Sequence, residues 1–322
     1  MNKNKPFFSV IVTGRNDNHG QKFSERWLLA LHSIAEAAKK IGNNVEYIFV
    51  DYGSDLFGSW LDEEYIYLVP KNILVKFIRI KHEQLDFKNR GNPPYIDVIM
   101  NEWGDKEELG YGDIVDKKST FNYAAIFNNA LKYEAIANNI IVTCADDFFA
   151  DDFFQYLLAE NRTRKQMTIC TRVNVPQDNH KNITYNDKIP IDQKVRKFNE
   201  FVRLKELKPR KEDILSGGYG GAVGDFQMMQ KDDWFILKGY MEYLPHWGWH
   251  DVELCKRALN YGIKLVDIHK KYNRPFFYHL GHDINDQRTI NLHTYFRGLE
   301  NPDNWGEIKG KYKVITNEVQ KP

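Results

Sequence analysis

Cysteine is scarce in this chain of 322 residues. The three cysteines, Cys144, Cys170 and Cys255, are odd in number and lie far apart along the sequence. This pattern indicates neither a disulfide framework nor the paired spacing of a zinc motif. We therefore expect the chain to work in a reducing compartment.

Net charge is also nearly absent, because 45 lysines and arginines oppose 44 aspartates and glutamates to leave +1. A chain without an excess of positive charge has no global field that favours nucleic acid or an anionic membrane. No apolar run approaches the length of a membrane-spanning helix. The polar residues 1–5 lead straight into a predicted strand, which is not the pattern of a signal peptide. We expect a cytoplasmic protein that binds no nucleic acid, with peripheral membrane contact as an open alternative.

Hydrophobic residues, by contrast, make up 42% of the chain, enough for a large core. Short apolar runs rich in β-branched residues alternate with segments of helical period in the first half. The predicted strands span residues 7–13, 45–50, 73–80 and 139–143, and the predicted helices span 25–40 and 121–137. This order predicts an α/β fold with a mostly parallel central sheet and helices on both faces.

The second half of the chain has a weaker pattern. Residues 167–173 predict one more strand. The lysine-rich residues 174–216 indicate a solvated helix, or else a surface for an anionic acceptor or a membrane. No strong pattern remains after about residue 285, so residues 286–322 are expected to be a packing tail on a domain of residues 1–285.

The strand predicted at 139–143 ends in Cys144, Ala145, Asp146 and Asp147. Ligands of open α/β sheets bind at the carboxyl edge of the sheet, where these residues would lie. Two adjacent carboxylates repel, and a divalent cation that also holds phosphates relieves this repulsion. Alternatively, one of the two aspartates caps a helix predicted over residues 148–159. The residues alone leave both interpretations open.

Other polar side chains follow predicted strands or stand in loops. His279 and His282 are either metal ligands or ordinary core and surface residues. His250 and Asp251 are either an acid/base pair or the first turn of a helix whose dipole favours the aspartate. The glycine-dense residues 217–221 are either a phosphate cradle or a turn, and no P-loop lysine follows them. The remaining candidates are Arg15, Asp51, Asp225, Trp247 and Trp249.

In their order along residues 7–283, these segments resemble the motifs of GT-A glycosyltransferases of family 2. Residues 46–54 resemble the family's nucleoside-recognition segment, with Tyr52 in place of the second aspartate. Residues 144–147 fall on the D-x-D metal motif, with Cys144 in place of its first aspartate. His250 replaces the usual glutamate of the W-G-x-E-D element. The other segments that carry the resemblance are 8–16, 123–131, 224–229, 233–234, 247–251 and 278–282.

The resemblance implies a Rossmann-like GT-A fold, with a nucleotide-sugar half at residues 1–150 and an acceptor-side half at residues 151–285. It implies an enzyme that transfers a sugar from a UDP- or GDP-linked donor to an acceptor hydroxyl, with inversion, in glycan or polysaccharide synthesis. The expected partners are the nucleotide-sugar and a glycan or lipid-linked glycan. The oligomeric state is left open.

The resemblance also implies site residues. Asp146 and Asp147 would bind Mn²⁺ or Mg²⁺, and His279 or His282 would complete the metal site. Asp251, beside His250, would accept the proton of the acceptor hydroxyl. The residues implied for donor binding are Thr13, Arg15, Asp51 and Asp146, and those for acceptor binding are Asp225, Trp247 and Trp249.

Two other functions are compatible with these residues. A sugar nucleotidyltransferase would share the sheet and the metal carboxylates, but residues 14–16 hold only a fragment of the glycine-rich basic signature that it needs. A non-catalytic glycan-binding protein on a degenerate transferase scaffold is favoured by the presence of Cys144 in the metal motif.

Overall fold

The structure is a computed structural model that describes residues 5–84, 99–100, 106–107, 123–160, 164–205, 207, 226–242, 250–282, 301–308 and 310–317. The predictions for Asp225, Trp247, Trp249 and residues 217–221 lie outside these ranges.

The strands of the described residues form a large sheet and two small ones. In chain order they are β1 (Phe8–Gly14), β2 (Val45–Tyr52), β3 (Leu74–Ile80), β4 (Ile99–Met100), β5 (Lys106–Glu107), β6 (Asn139–Thr143), β7 (Asp147–Phe149), β8 (Gln166–Ile169), β9 (Val173–Val175), β10 (Phe226–Gln230), β11 (Lys264–Asp267), β12 (Phe277–Leu280) and β13 (Lys313–Thr316).

The large sheet has the strand order β11-β8-β10-β6-β1-β2-β3-β13. Strands β6, β1, β2 and β3 run parallel to one another, as do β11 and β8. Strands β10 and β13 are antiparallel to their neighbours. The small sheets are the three-stranded β7-β12-β9 and the pair β4-β5. The predicted α/β class with a mostly parallel central sheet is confirmed.

The helices of the described residues lie between these strands in chain order. They are α1 (Phe23–Lys39), α2 (Leu61–Tyr65), α3 (Tyr123–Asn129), α4 (Phe153–Glu160), α5 (Gln177–Thr184), α6 (Ile191–Lys205), α7 (Lys231–Ile236), α8 (His250–Asn260) and α9 (Ile268–Tyr272). Helix α3 passes directly into a π-helical turn, Ala130–Glu134, so the helix predicted over 121–137 is irregular in its second half.

Strand β1 is apolar along its length because both faces of the sheet are covered. Val10 and Val12 belong to a buried cluster with Trp27 of α1. Ile11 belongs to a separate buried cluster with Phe127 of α3. Alternate residues of a strand point to opposite faces, so helices on both faces require the continuous apolar run found in the sequence.

The residues that follow the acidic pair do not begin a helix. Asp147–Phe149 form β7, and α4 begins only at Phe153. The alternative that Asp146 or Asp147 caps a helix over residues 148–159 is therefore wrong. Strand β7 forms because it pairs antiparallel with β12, far away in the sequence, which local periodicity cannot reveal.

Two other predictions change in the second half. The strand predicted at 167–173 is divided into β8 and β9, which belong to different sheets. The described part of the lysine-rich segment forms α5 and α6, and α6 buries Val195, Phe198 and Val202. Helix α6 is therefore an amphipathic helix that packs against the domain, and the segment is not fully solvated.

The chain after residue 285 is more than a packing tail. Strand β13 pairs antiparallel with β3 and completes the edge of the central sheet. Asn317, 6% exposed, then accepts a hydrogen bond from the Val75 backbone N–H at 2.8 Å. Its side-chain nitrogen donates to the carbonyl oxygens of Pro70 at 2.8 Å and Ile73 at 3.1 Å.

Replacing Asn317 by alanine is expected to lower the free energy of unfolding by about 1–3 kcal/mol, because buried backbone groups lose their partner. Urea unfolding followed by circular dichroism measures this difference. Thr316→Ala, at an exposed position of the adjoining strand, is the control. Equal stability of the two variants would contradict a structural role for this end of the chain.

Candidate metal centre at the carboxyl edge of the sheet

The polar segments predicted at strand ends do meet at one edge of the central sheet. Gly14 at the end of β1 is paired with Asp51 of β2, and Val12 is paired with Thr143 at the end of β6. The residues that follow β1, β2 and β6 therefore lie at the same edge of the sheet, the edge at the carboxyl ends of the parallel strands. Strand β10 is antiparallel and begins there, with Phe226 opposite Thr143.

At this edge, Asp146, His279 and His282 form a group of side chains that could hold a metal ion. One ligand atom from each residue lies within 4.8 Å of the others. His282 Nε2 is 3.1 Å from Asp146 Oδ2, and His279 Nδ1 is 3.5 Å from Asp146 Oδ1. One carboxylate and two imidazoles are a donor set that a divalent transition metal accepts.

Pairing in the small sheet brings these residues together. His279 of β12 lies opposite Asp147 of β7, and the Leu280 N–H donates to the Asp146 carbonyl oxygen at 3.0 Å. Gly281 then donates to the Val175 carbonyl oxygen at 2.8 Å. A Cβ on Gly281 would lie only 2.7 Å from that oxygen, so glycine permits the close approach that places His282 beside Asp146.

Asp147 is fully buried and has a different environment from Asp146. Its Oδ2 accepts hydrogen bonds from the Thr143 hydroxyl at 3.0 Å and the Cys144 N–H at 2.9 Å. Its Oδ1 lies 3.2 Å from His279 Nδ1. Asp147 therefore orients the end of β6 and the His279 ring, whereas Asp146 is the aspartate in the ligand group. A carboxylate that holds a ligating histidine is a common support for a metal site.

The charged side chains of the group shift one another's pKa values. Burial raises the pKa of Asp146, but His279, His282 and Arg26 outweigh burial and hold it well below its usual range. Burial lowers the pKa of His279, and the carboxylates of Asp146 and Asp147 reverse this and raise it to about 9. A metal ion that binds at His279 would have to compete with this raised affinity for a proton.

Arg26 of α1 also contacts this candidate group, and the sequence analysis missed it. Its side chain is fully buried, and its Nε lies 3.4 Å from Asp146 Oδ2. No local pattern singles it out, because an arginine beside the apolar stripe of an amphipathic helix is ordinarily solvated. His19 was missed as well: its ring lies edge-on to that of His282, with 4.9 Å between centroids.

The loops after β1 and β2 contact each other next to this group. The Asn16 N–H donates to the Ser54 hydroxyl at 2.8 Å. Arg15 donates to Asp17 at 2.8 Å and lies over the Phe57 ring, 4.8 Å from its centroid. Thr13, partly buried, is the penultimate residue of β1. The donor-binding roles of Thr13 and Arg15 stay predictions.

Asp51 is placed below the surface and holds the loop after β2. Its two carboxylate oxygens accept hydrogen bonds from the Ser54 hydroxyl and, at 2.8 Å, from the Leu61 N–H. Burial raises the pKa of Asp51 to about 7, although the same two hydrogen bonds oppose this rise. The contact with a nucleoside stays a prediction, and the contacts seen are structural.

The raised pKa of Asp51 predicts a pH-dependent stability. The unfolded chain loses this proton near pH 4, about the ordinary value, whereas the folded protein keeps it until about pH 7. Stability from Asp51 therefore falls as the pH rises through this window. Wild type loses this contribution as the pH rises, and Asp51→Asn has none to lose. The unfolding free energy of Asp51→Asn minus that of wild type should therefore increase by about 2–3 kcal/mol between about pH 5 and about pH 8. Urea unfolding at both pH values measures it, and a gain no larger than that of the exposed Asp303→Asn would contradict the assignment.

His250 and Asp251 begin α8 at the same edge of the sheet. Gln227 of β10 donates to the Asp251 carbonyl oxygen at 3.2 Å. His250 is buried, with its ring 5.4 Å from that of Tyr123 and 6.2 Å from that of Tyr240. Asp251 is partly exposed. This placement favours a packing role for His250. Asp251 is the more accessible residue of the two.

Comparisons with known proteins give little direct information. No family model matches the chain, and no curated protein matches it. A solved structure of the catalytic domain of Drosophila β1,4-galactosyltransferase 7 with xylobiose is similar at 11% identity and a TM-score of 0.39, covering 91% of this chain and 84% of that one. A mutant of the same enzyme with manganese, UDP-Gal and xylobiose matches at the same identity and TM-score, covering 90% and 83%. Such a TM-score carries no argument about this chain.

Among the residues that the structure describes, no helix is long and apolar enough to span a membrane.

Proposed function

We propose that the chain is a glycosyltransferase that transfers a sugar from a nucleotide-sugar to an acceptor hydroxyl with the help of a divalent metal ion. The observation that carries the proposal is the group of Asp146, His279 and His282 at the carboxyl edge of a mostly parallel sheet. Nucleotides bind at this edge in open α/β sheets. The loops after β1 and β2 lie beside the group and supply a surface for the nucleotide.

The donor set favours Mn²⁺ over Mg²⁺. Magnesium prefers oxygen ligands in octahedral geometry, whereas manganese accepts imidazole nitrogen together with carboxylate. Asp146, His279 and His282 would hold the ion. When bound, it would neutralise the charge that develops on the diphosphate as it leaves. Fe²⁺ is the competing ion, because two histidines and one carboxylate also serve iron oxygenases.

The chain's own residues then have separate tasks. Asp147 holds the His279 ring, and Asp251 takes the proton of the acceptor hydroxyl. The acceptor oxygen forms its bond to the anomeric carbon as the bond from that carbon to the diphosphate breaks, which inverts the anomeric centre. Asp225, Trp247 and Trp249 remain the proposed acceptor contacts, with a UDP- or GDP-sugar as donor and a glycan or lipid-linked glycan as acceptor, in a cytoplasmic step of glycan or polysaccharide synthesis.

Cys144 does not favour a non-catalytic protein. The residue stands in the first position of the metal motif, but its backbone N–H donates to Asp147 and supports the site from there. The three ligand candidates Asp146, His279 and His282 come together without it. The donor set is therefore sufficient for a metal with open positions.

A thermal-shift screen of nucleotide-sugars with Mn²⁺, Mg²⁺ or Fe²⁺, followed by measurement of released nucleoside diphosphate, tests the proposal. With Mn²⁺, a donor present at a hundred times its dissociation constant should raise the melting temperature by about 4 °C, and with Mg²⁺ it should not. Release of nucleoside diphosphate should then increase when an acceptor glycan is added. Stabilisation by glycans alone, with no response to any nucleotide-sugar, would contradict it and favour a glycan-binding protein.

A further inference from the structure

We propose that Arg26 is a positioning residue that joins the loop between β1 and α1 to the metal carboxylate. This inference rests on the proposed function, since it assigns a further residue to the same site. The consequence is that the metal site and the loop next to the donor are held in one arrangement by one side chain. Loss of Arg26 should therefore weaken metal and donor binding together.

The contacts of Arg26 run in two directions. Toward the metal group, Nε lies 3.4 Å from Asp146 Oδ2, the same oxygen that lies 3.1 Å from His282 Nε2. Toward the loop, one terminal nitrogen donates to the His19 carbonyl oxygen at 2.7 Å. The other donates to the carbonyl oxygens of Gly20, at 3.3 Å, and Gln21. A planar guanidinium can make these bonds at once, and a lysine cannot.

The loop needs such an anchor because its backbone is unusual. Asn18, Gln21 and Lys22 have φ values of 54°, 57° and 54°, in the left-handed region that non-glycine residues rarely adopt. Each such residue costs about 1 kcal/mol or more, so surrounding contacts must fix the conformation. The bonds from Arg26 to three successive carbonyl oxygens supply them, and they also place the His19 ring against that of His282.

The loop leads directly to the donor side of the site. Asp17 accepts hydrogen bonds from the His19 N–H at 3.1 Å and from Arg15 at 2.8 Å. A chain of contacts thus runs from Asp146 through Arg26 and the loop backbone to Arg15.

The test compares Arg26→Lys and Arg26→Gln with the same changes at Arg257. Arg257 is a matched control: it is a buried helical arginine, it pairs with Glu253 at 2.7 Å, and it donates to the carbonyl oxygens of Leu237 and Gly239. It is not part of the metal group. The measurements are Mn²⁺ affinity by electron paramagnetic resonance, donor KM, and melting temperature.

Arg26→Lys should weaken Mn²⁺ binding by about 10- to 100-fold and raise the donor KM. Arg257→Lys should lower the melting temperature without changing Mn²⁺ affinity. Wild-type Mn²⁺ affinity in folded Arg26→Lys would overturn the positioning role, and so would an equal loss of affinity in Arg257→Lys. If Arg26→Gln does not fold, the two lysine variants decide.

The results that would contradict the transferase proposal differ from those that would contradict the role of Arg26. Wild-type protein that binds Mn²⁺ but transfers no sugar from any nucleotide-sugar would contradict the transferase proposal, while the Mn²⁺ affinities of the Arg26 variants would still decide the role of Arg26. Wild-type protein that binds no divalent cation would overturn both.

Discussion

Asp146→Asn is expected to weaken Mn²⁺ binding by about a hundredfold or more and to slow sugar transfer by about 10²- to 10³-fold. Asp146 is the only carboxylate in the ligand group of the described residues, and it lies between two imidazoles and the buried Arg26. An asparagine keeps the shape but loses the charge that attracts the cation. Isothermal titration with Mn²⁺ and a nucleoside diphosphate release assay measure the two effects.

The substitution also leaves the charge of Arg26 buried without its anionic partner, which can destabilise the fold by several kcal/mol. Melting curves must therefore accompany the binding data. His282→Asn provides a second variant that removes a ligand but leaves the pair of Arg26 and Asp146 in place. Asp178→Asn, an exposed change on α5, is the control. Wild-type Mn²⁺ affinity in folded Asp146→Asn and His282→Asn would show that the metal lies elsewhere.

Asp251→Asn is expected to reduce kcat by about 10²- to 10⁴-fold, the usual contribution of a general base. The donor KM and the Mn²⁺ affinity should not change, because Asp251 is not part of the metal group. Loss of its interaction with the α8 dipole costs only about 0.3–1 kcal/mol, so the fold should survive. Steady-state kinetics with varied donor and acceptor separate the two parameters.

Asp232→Asn is the matched control, since Asp232 also lies in the first turn of a helix, α7, and is well exposed. The two variants should have similar melting temperatures and different kcat values. An Asp251→Asn enzyme with full kcat would assign proton removal to another group. A parallel fall of kcat in Asp232→Asn would indicate a structural effect and not base catalysis.

The parallel strands of the central sheet could be predicted because their own residues determine them. Strand β6 has the bounds 139–143 that its run of isoleucine, valine and threonine indicates. A strand buried on both faces is a continuous apolar run, so local sequence is sufficient. Strand β7 could not be predicted, because its three residues are strand only through pairing with β12, more than a hundred residues later.

The same distinction applies to the candidate site. Asp146 and the two histidines were named from their motifs, and the structure brings them within 4.8 Å. The separate positions of Asp146 and Asp147 depend on the turn into β7, which the sequence assigned to a helix. The position of Arg26 could not be predicted, because only the folded chain brings its partners together. These partners are three loop carbonyl oxygens and an aspartate 120 residues away.

Strand β13 has a consequence for solubility. Residues 313–316 pair with residues 76–79 of β3, whose backbone N–H and C=O groups on that side would otherwise face outward beside the buried Phe77 and Ile78. A bare edge of this kind is a template on which a second chain can add a strand, and aggregation follows. Lys313 and Thr316 place exposed polar side chains at the edge instead. A chain cut after residue 285, where the sequence pattern fades, would keep every residue of the candidate metal group. It would lose β13 and expose the edge of β3 to pairing with other chains.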